Sequence, residues 1–124
     1  MAINRRVLYG TNLPDIITKE ATGAAAIAMA IAPGFSAELI DIRIKMATVP
    51  TTSQALTVTI NSESGAMYDT EIYRKDLSAL SDGSVIIIAG EDEFVIEDGG
   101  SWDIAYTNTD AIVYGVQVRY RRKT

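Results

Sequence analysis

Hydrophobic and polar residues alternate along most of this chain, and the alternation has the two-residue period of β-strands. The clearest stretch runs from Glu38 to Ile60. Ile40, Ile42, Ile44 and Met46 fall on one face of its first half, opposite Asp41, Arg43 and Lys45. Leu56, Val58 and Ile60 then fall opposite Thr57 and Thr59, after a turn at Pro50-Thr51-Thr52-Ser53. Successive side chains of a strand point to opposite sides of a sheet, so this pattern predicts two half-buried strands. Further on, Tyr68, Thr70 and Ile72 alternate with Met67, Asp69, Glu71 and Tyr73. Trp102, Ile104 and Tyr106 alternate with Asp103 and Ala105. Ile112, Tyr114, Val116, Val118 and Tyr120 line one face of a long last strand, opposite Gly115, Gln117, Arg119 and Arg121.

Three segments are less regular. Ala24 to Ala32 combines good helix formers with an Ile27, Met29, Ile31 alternation and closes on Pro33-Gly34. A nine-residue helix with no N-cap or polar face is marginal, so the segment is read as a strand. Val85 to Ala89 is apolar throughout, which predicts a strand buried on both faces. Phe94 to Ile96 reads as a short strand between acidic turns. Asn61 to Gly65, Asp98-Gly99-Gly100 and Asn108-Thr109-Asp110 carry turn chemistry.

Residues 1–23 show no clear period and are expected to form an extended N-terminal arm, with Val7, Leu8 and Tyr9 as an anchor or short strand. Residues 24–124 are expected to form one all-β domain of about eight strands. The short strands at close spacing point to an antiparallel two-sheet sandwich or a barrel. Eight strands favour a jelly roll over a seven-stranded immunoglobulin-like sandwich.

Composition mainly removes functions. At 124 residues and 48% hydrophobic, the chain can bury a core without staples. It has no cysteine and no histidine, so disulfides, thiolate metal sites and the commonest general base are missing. Neither a catalytic residue nor a cofactor or metal ligand is assigned, and the chain is read as not an enzyme. Asp69 and Glu71 share a predicted strand face as a glycosidase pair would, but a solvated outer face gives the same pattern. The clusters Glu91-Asp92-Glu93 and Glu97-Asp98 with Asp103 lack the spacing of a calcium loop.

The net charge is -5, unevenly spread. Arg5, Arg6, Arg119, Arg121, Arg122 and Lys123 place six positive charges at the ends, leaving 5 basic and 16 acidic residues between them. Basic ends on an acidic body suit docking to an acidic protein surface or to other copies of the chain. The basic residues are too few, and too little interleaved with aromatics, for nucleic acid. The apolar run at residues 24–32 is too short to span a bilayer, and MAINRRVLYG lacks a signal-peptide core. Trp102, Tyr106, Tyr68 and Tyr73 offer material for a sugar platform. Trp102 reads as core or rim, and Tyr73, on a polar face, as a contact residue. The expected partner-binding residues are therefore Arg5, Arg6, Val7, Leu8, Tyr9, Tyr73, Arg119, Arg121 and Arg122.

Three pieces, ATVPTTSQALTVTIN from Ala47, MYDTEIYRKDLS from Met67 and IAYTNTDAIVYGVQVRY from Ile104, resemble small all-β proteins encoded near the head genes of tailed bacteriophages. There PTTS before an LTVT strand, YDT-x-x-Y-x-x-DLS, and a YxNTD turn before YGV recur in this order. The likeness covers about the last two-thirds of the chain and leaves out the arm. It implies a virion structural protein, foremost a head decoration (cement) protein, made in the host cytoplasm and placed on the capsid surface. The implied partners are the major capsid protein or other virion proteins and further copies of itself, with a trimer favoured. The second reading is a carbohydrate- or receptor-binding sandwich of a tail or fibre.

Overall fold

The computed structural model describes residues 15–90 and 93–123. They form eight strands: β1 Ile17–Gly23, β2 Ile27–Ile31, β3 Ala37–Met46, β4 Ala55–Asn61, β5 Thr70–Asp76, β6 Ser84–Ile88, β7 Ser101–Tyr106 and β8 Tyr114–Arg122. Two single-turn 3-10 helices, Ala66–Tyr68 and Leu77–Ala79, are the only helices among the described residues.

The strands make two antiparallel four-stranded sheets, ordered β1-β8-β3-β6 and β2-β7-β4-β5. Within them β1 pairs with β8, β2 with β7, β3 with β6 and β4 with β5. The chain is thus one long antiparallel ribbon, folded at the β4–β5 turn and rolled so that alternate rungs fall in opposite sheets. That is the jelly-roll order.

The core lies between the inner faces. Leu39, Ile42, Ile44 and Met46 of β3 meet Val116, Val118 and Tyr120 of β8. The other sheet contributes Ile27, Ile31, Leu56, Val58, Trp102, Ile104 and Tyr106. Trp102 is fully buried; its ring lies 5.6 Å from that of Tyr120, and its Nε1 donates to the Phe94 carbonyl at 2.8 Å. The alternation seen in the sequence therefore sets the layers directly.

Several expectations change. Residues 17–23, expected within the arm, form edge strand β1 on β8. Phe94–Ile96 is not a strand: only Ile96 bridges, to Ala37, and Phe94 has φ 53°. Met67 to Asp69 belong to the 3-10 turn and its cap, so β5 begins at Thr70. The Val85–Ala89 run is not covered on both sides. Among the described residues β6 is an edge strand with nothing over its outer face, so Val85 and Ile87 enter the core while Ile86 and Ile88 are 61% and 76% exposed.

Two bulges shift the faces. One at Ile40 of β3 leaves Leu39 and Ile42 inward and Ile40 half-buried between them. The other, at Ile72 of β5, changes the register from Val58↔Tyr73 to Thr59↔Glu71. The extra residue rotates Tyr73 away from the face of Glu71 and towards that of Val58. Tyr73 is accordingly half-buried against the core, and burial pushes its phenol up. The sequence period, unbroken, had put it on the polar face. The tyrosines of β8, Tyr114 and Tyr120, also face inward.

Candidate functional site

The loops β1–β2, β3–β4, β5–β6 and β7–β8 gather at one end of the sandwich, and hydrogen bonds lock all four together. At the centre is Asn108, 4% exposed and left-handed at φ 55°. Its Nδ2 donates to the carbonyls of Ala24, Ala25 and Ile112 at 3.2, 2.9 and 3.0 Å, and its Oδ1 accepts from Ile112 N at 3.1 Å. Asparagine suits such a place because its short side chain tolerates that conformation and bonds to nearby backbone.

Asp110 clamps the β3–β4 loop. It accepts from the backbone N–H groups of Thr51 and Thr52 at 2.8 and 2.9 Å and from both threonine hydroxyls. Gln54 and Thr109 exchange two further bonds. Asp76 reaches the same loop from β5: it accepts from the Ser53 hydroxyl and from both N–H and hydroxyl of Ser78, while Leu77 N donates to Gln54 O at 3.2 Å. Thr52 above all holds the Asp110 carboxyl below its ordinary range, and the Ser53 hydroxyl leads the same effect on Asp76. At the opposite end Glu97 accepts from Ser62 Oγ and Glu63 N, and Asp69 from Ser62 N.

On the outer face of the first sheet, Asp41 is buried under a bidentate Arg119, with Nε to Oδ1 at 2.9 Å, and Arg43 lies 3.5 Å from Oδ2. The Arg119 hydrogen bond is the chief reason the Asp41 carboxyl sits below its ordinary range. Beside this pair is an open basin of about 720 Å³, floored by Gly115 and bounded by Glu20, Arg43, Lys45 and Ile86.

These lowered carboxyls define a pH response. A carboxyl whose folded pKa lies below its unfolded one stabilises the fold above the unfolded value and stops doing so as pH falls through the folded one. Stability is therefore expected to be flat from about pH 5 to 8, where no histidine titrates, and to drop below about pH 4. Thermal melts across pH test this, with Asp110→Asn expected to flatten the acid limb. An Asp110→Asn limb as steep as that of the unsubstituted chain would place the acid sensitivity elsewhere.

The sequence-derived contact residues are placed as follows. Arg5, Arg6, Val7, Leu8 and Tyr9 lie outside the described residues, as do Glu91 and Asp92. Arg119 is committed to Asp41. Arg121 lies 3.6 Å from Glu38, with Lys123 4.0 Å from the same carboxylate. Arg122 stacks 4.4 Å over the Phe35 ring. Two acids, Asp41 and Glu38, thus offset part of this basic run within the fold. Trp102 and Tyr106 are buried and Tyr73 half-buried, so of the four proposed platform aromatics Tyr68 alone is exposed, at 66%, next to Met67 at 92%. Glu71 is held by Arg74 at 2.7 and 2.9 Å. Among the described residues no three acidic side chains gather closely enough to hold a metal ion. Sequence reasoning missed the exposed Ile86 and Ile88, because an apolar run carries no sign of which strand ends up at an edge.

No family model matches the chain, and no curated protein matches it. Among solved structures it is similar to the crystal structure of the Yersinia pseudotuberculosis-derived mitogen, at 15% identity over 90% of this chain and 88% of that one, with a TM-score of 0.41.

Proposed function

We propose that this jelly roll is a virion structural protein of the head-decoration type, binding protein surfaces and carrying no reactive centre. One observation supports the reading above others. The three segments that resemble the phage head proteins, far apart in sequence, meet at the same end of the sandwich. PTTSQ, DLS and NTD are the pieces that form the Asp110, Asp76 and Gln54–Thr109 bonds. Recurrence of three strings is more telling when they build one object. The object is a staple that fixes the loop end, which suits a particle component held rigid over a long life.

Asp41, Asp69, Asp76, Glu97 and Asp110 are occupied by internal donors, while Met67, Ile86, Ile88 and Val113 offer exposed apolar surface as adhesive material. A decoration protein needs only modest affinity per copy, because a symmetric shell presents many sites and neighbouring copies raise the effective concentration. Purified protein is expected to pellet saturably with heads assembled without it. Removing residues 1–12 is expected to weaken that binding by about tenfold or more. Undiminished binding by the shortened chain would remove the arm from the interface, and no binding by either form would reject the decoration role.

A further inference from the structure

Among the described residues, four strands form the edges of the two sheets: β1, β6, β2 and β5. Natural sheets blunt their edges with charge or bulges to avoid unwanted pairing. β1 carries Lys19 and Glu20, and β5 carries Arg74 and Lys75 together with a bulge. β2 is short, with small exposed Ala28 and Ala30. β6 presents the exposed side chains of Ile86 and Ile88, with no charge inside the strand.

The backbone of β6 is turned outward at alternate residues. Met46 N donates to Gly83 O, and Ala89 N donates to Ile40 O. Gly83 and Ala89 therefore point their polar groups at β3, as do Val85 and Ile87 by alternation. The N–H and C=O groups of Ser84, Ile86 and Ile88 face out from the edge.

Behind this edge lies the basin on the outer face of the same sheet, with Lys45, Arg43, Ser84 and Ile86 in its lining. The rows across the sheet are set by register. Lys45 stands between Gly115 and Ser84, Arg43 is next to Ile86, and Asp41 is next to Ile88. Gly115 has no side chain, and the space over it is open. Lys45 is exposed and, among the described residues, has no carboxylate within ion-pair distance. Arg43 shares the Asp41 carboxylate with a better-placed Arg119. An acidic chain of net charge -5 thus carries two under-neutralised cations beside its apolar edge.

We propose that β6 and this basin capture an extended acidic peptide of a partner protein, which adds to the sheet as a fifth, antiparallel strand. The outward N–H and C=O groups ask for polypeptide, because alternating donors and acceptors along a straight edge are met by another strand. Side chains paired across the new ladder share the outer face. Residues opposite Ile88 and Ile86 are therefore apolar, and the residue opposite Ser84 is acidic. Lys45 lies two strand spacings from that acid, about 10 Å between backbones, with only the small Ser84 in between, so the two long side chains meet over it. The order is fixed by charge. Beside Ile88 stands Asp41, already held by Arg119, so an acid gains nothing at that end. Read from its N-terminus, the captured strand runs apolar, any, apolar, any, acidic. A second β6 fits less well: centred on Ile86, it sets isoleucine opposite Ser84 and leaves Lys45 without a carboxylate.

Peptide capture at β6 needs no particle, so it stands or falls apart from the virion reading. The probe is a fluorescein-labelled peptide, VTVTE between glycines, titrated with the full-length chain and followed by anisotropy. Saturable binding is expected, and the reversed peptide ETVTV is expected to bind about fivefold more weakly. N-methylation of the middle valine removes the N–H that would reach the Ile86 carbonyl and should weaken binding about tenfold. Lys45→Glu, at an exposed position, should weaken VTVTE about tenfold and favour VTVTK instead. No binding of VTVTE would overturn the proposal. Equal binding of the N-methylated or reversed peptide would overturn it in favour of plain ionic attraction. A dimer in sedimentation that excess VTVTE does not dissociate, and that Ile86→Lys abolishes, would give the edge to a second copy and overturn it too.

Discussion

Replacing Trp102 by alanine is expected to lower the stability of the fold by about 4 kcal/mol, which is most of what a domain of this size can lose and still fold. Trp102 is fully buried on β7, in cross-strand register with Ile31 of β2 and Ile60 of β4. It packs on Tyr120 from the opposite sheet, so its ring belongs to both layers. Its indole N–H also anchors the Phe94 carbonyl, where the chain turns through φ 53°. Alanine would leave a cavity between the sheets and free that loop. Trp102→Phe keeps most of the volume and loses the hydrogen bond, so its cost should be about 2 kcal/mol. Urea unfolding followed by circular dichroism measures both, since the tryptophan signal goes with the substitution. A loss below about 1 kcal/mol for the alanine variant would place the core elsewhere.

Asn108→Ala is expected to cost about 3 kcal/mol, unusually much for a loop residue. Two amide hydrogens serve three carbonyls, those of Ala24, Ala25 and half-buried Ile112, and the amide oxygen holds Ile112 N. Alanine strands those groups and also dislikes φ 55°. Asn108→Asp is the sharper variant. It keeps the acceptor and nearly the same shape but turns the donor into an oxygen facing carbonyls. It is expected to be at least as damaging as alanine at neutral pH. A mild effect of Asn108→Asp would mean that water replaces the side chain there, and that the loop end is less locked than its hydrogen bonds indicate.

Much of the fold was legible because this chain keeps a strict two-residue period where strands are half-buried. β3, β4, β7 and β8 lie close to where Ile42, Val58, Ile104 and Val118 placed them. The failures have distinct physical causes. Ile40 is a bulge residue and Tyr73 adjoins the bulge at Ile72, and a bulge inserts one residue that no alternation announces. Ile86 and Ile88 look like core because a sequence cannot tell an edge strand from a central one. The Ile17–Gly23 strand carries Lys19 and Glu20, as edges do, so its pattern is weak.

The site was legible in a different sense. The turn residues of PTTS, DLS and NTD stood out one by one, but their mutual bonds depend on topology. Only the jelly-roll winding brings residues 51–54, 76–78 and 108–110 to one end. Arg119, Arg121 and Arg122 show the reverse case. As a basic run they suggested a docking patch; folded into β8 they meet Asp41, Glu38 and Phe35.

The measurement that bears most directly on the whole account is the number and place of these molecules on intact particles. Virions are purified from a producing host and the protein is counted by quantitative mass spectrometry against the major shell subunit, then located by tagged-particle imaging. The account expects copies on the order of hundreds, spread over the head at symmetric positions, as multivalent cement requires. Absence from particles, or a handful confined to the tail or one vertex, would contradict it.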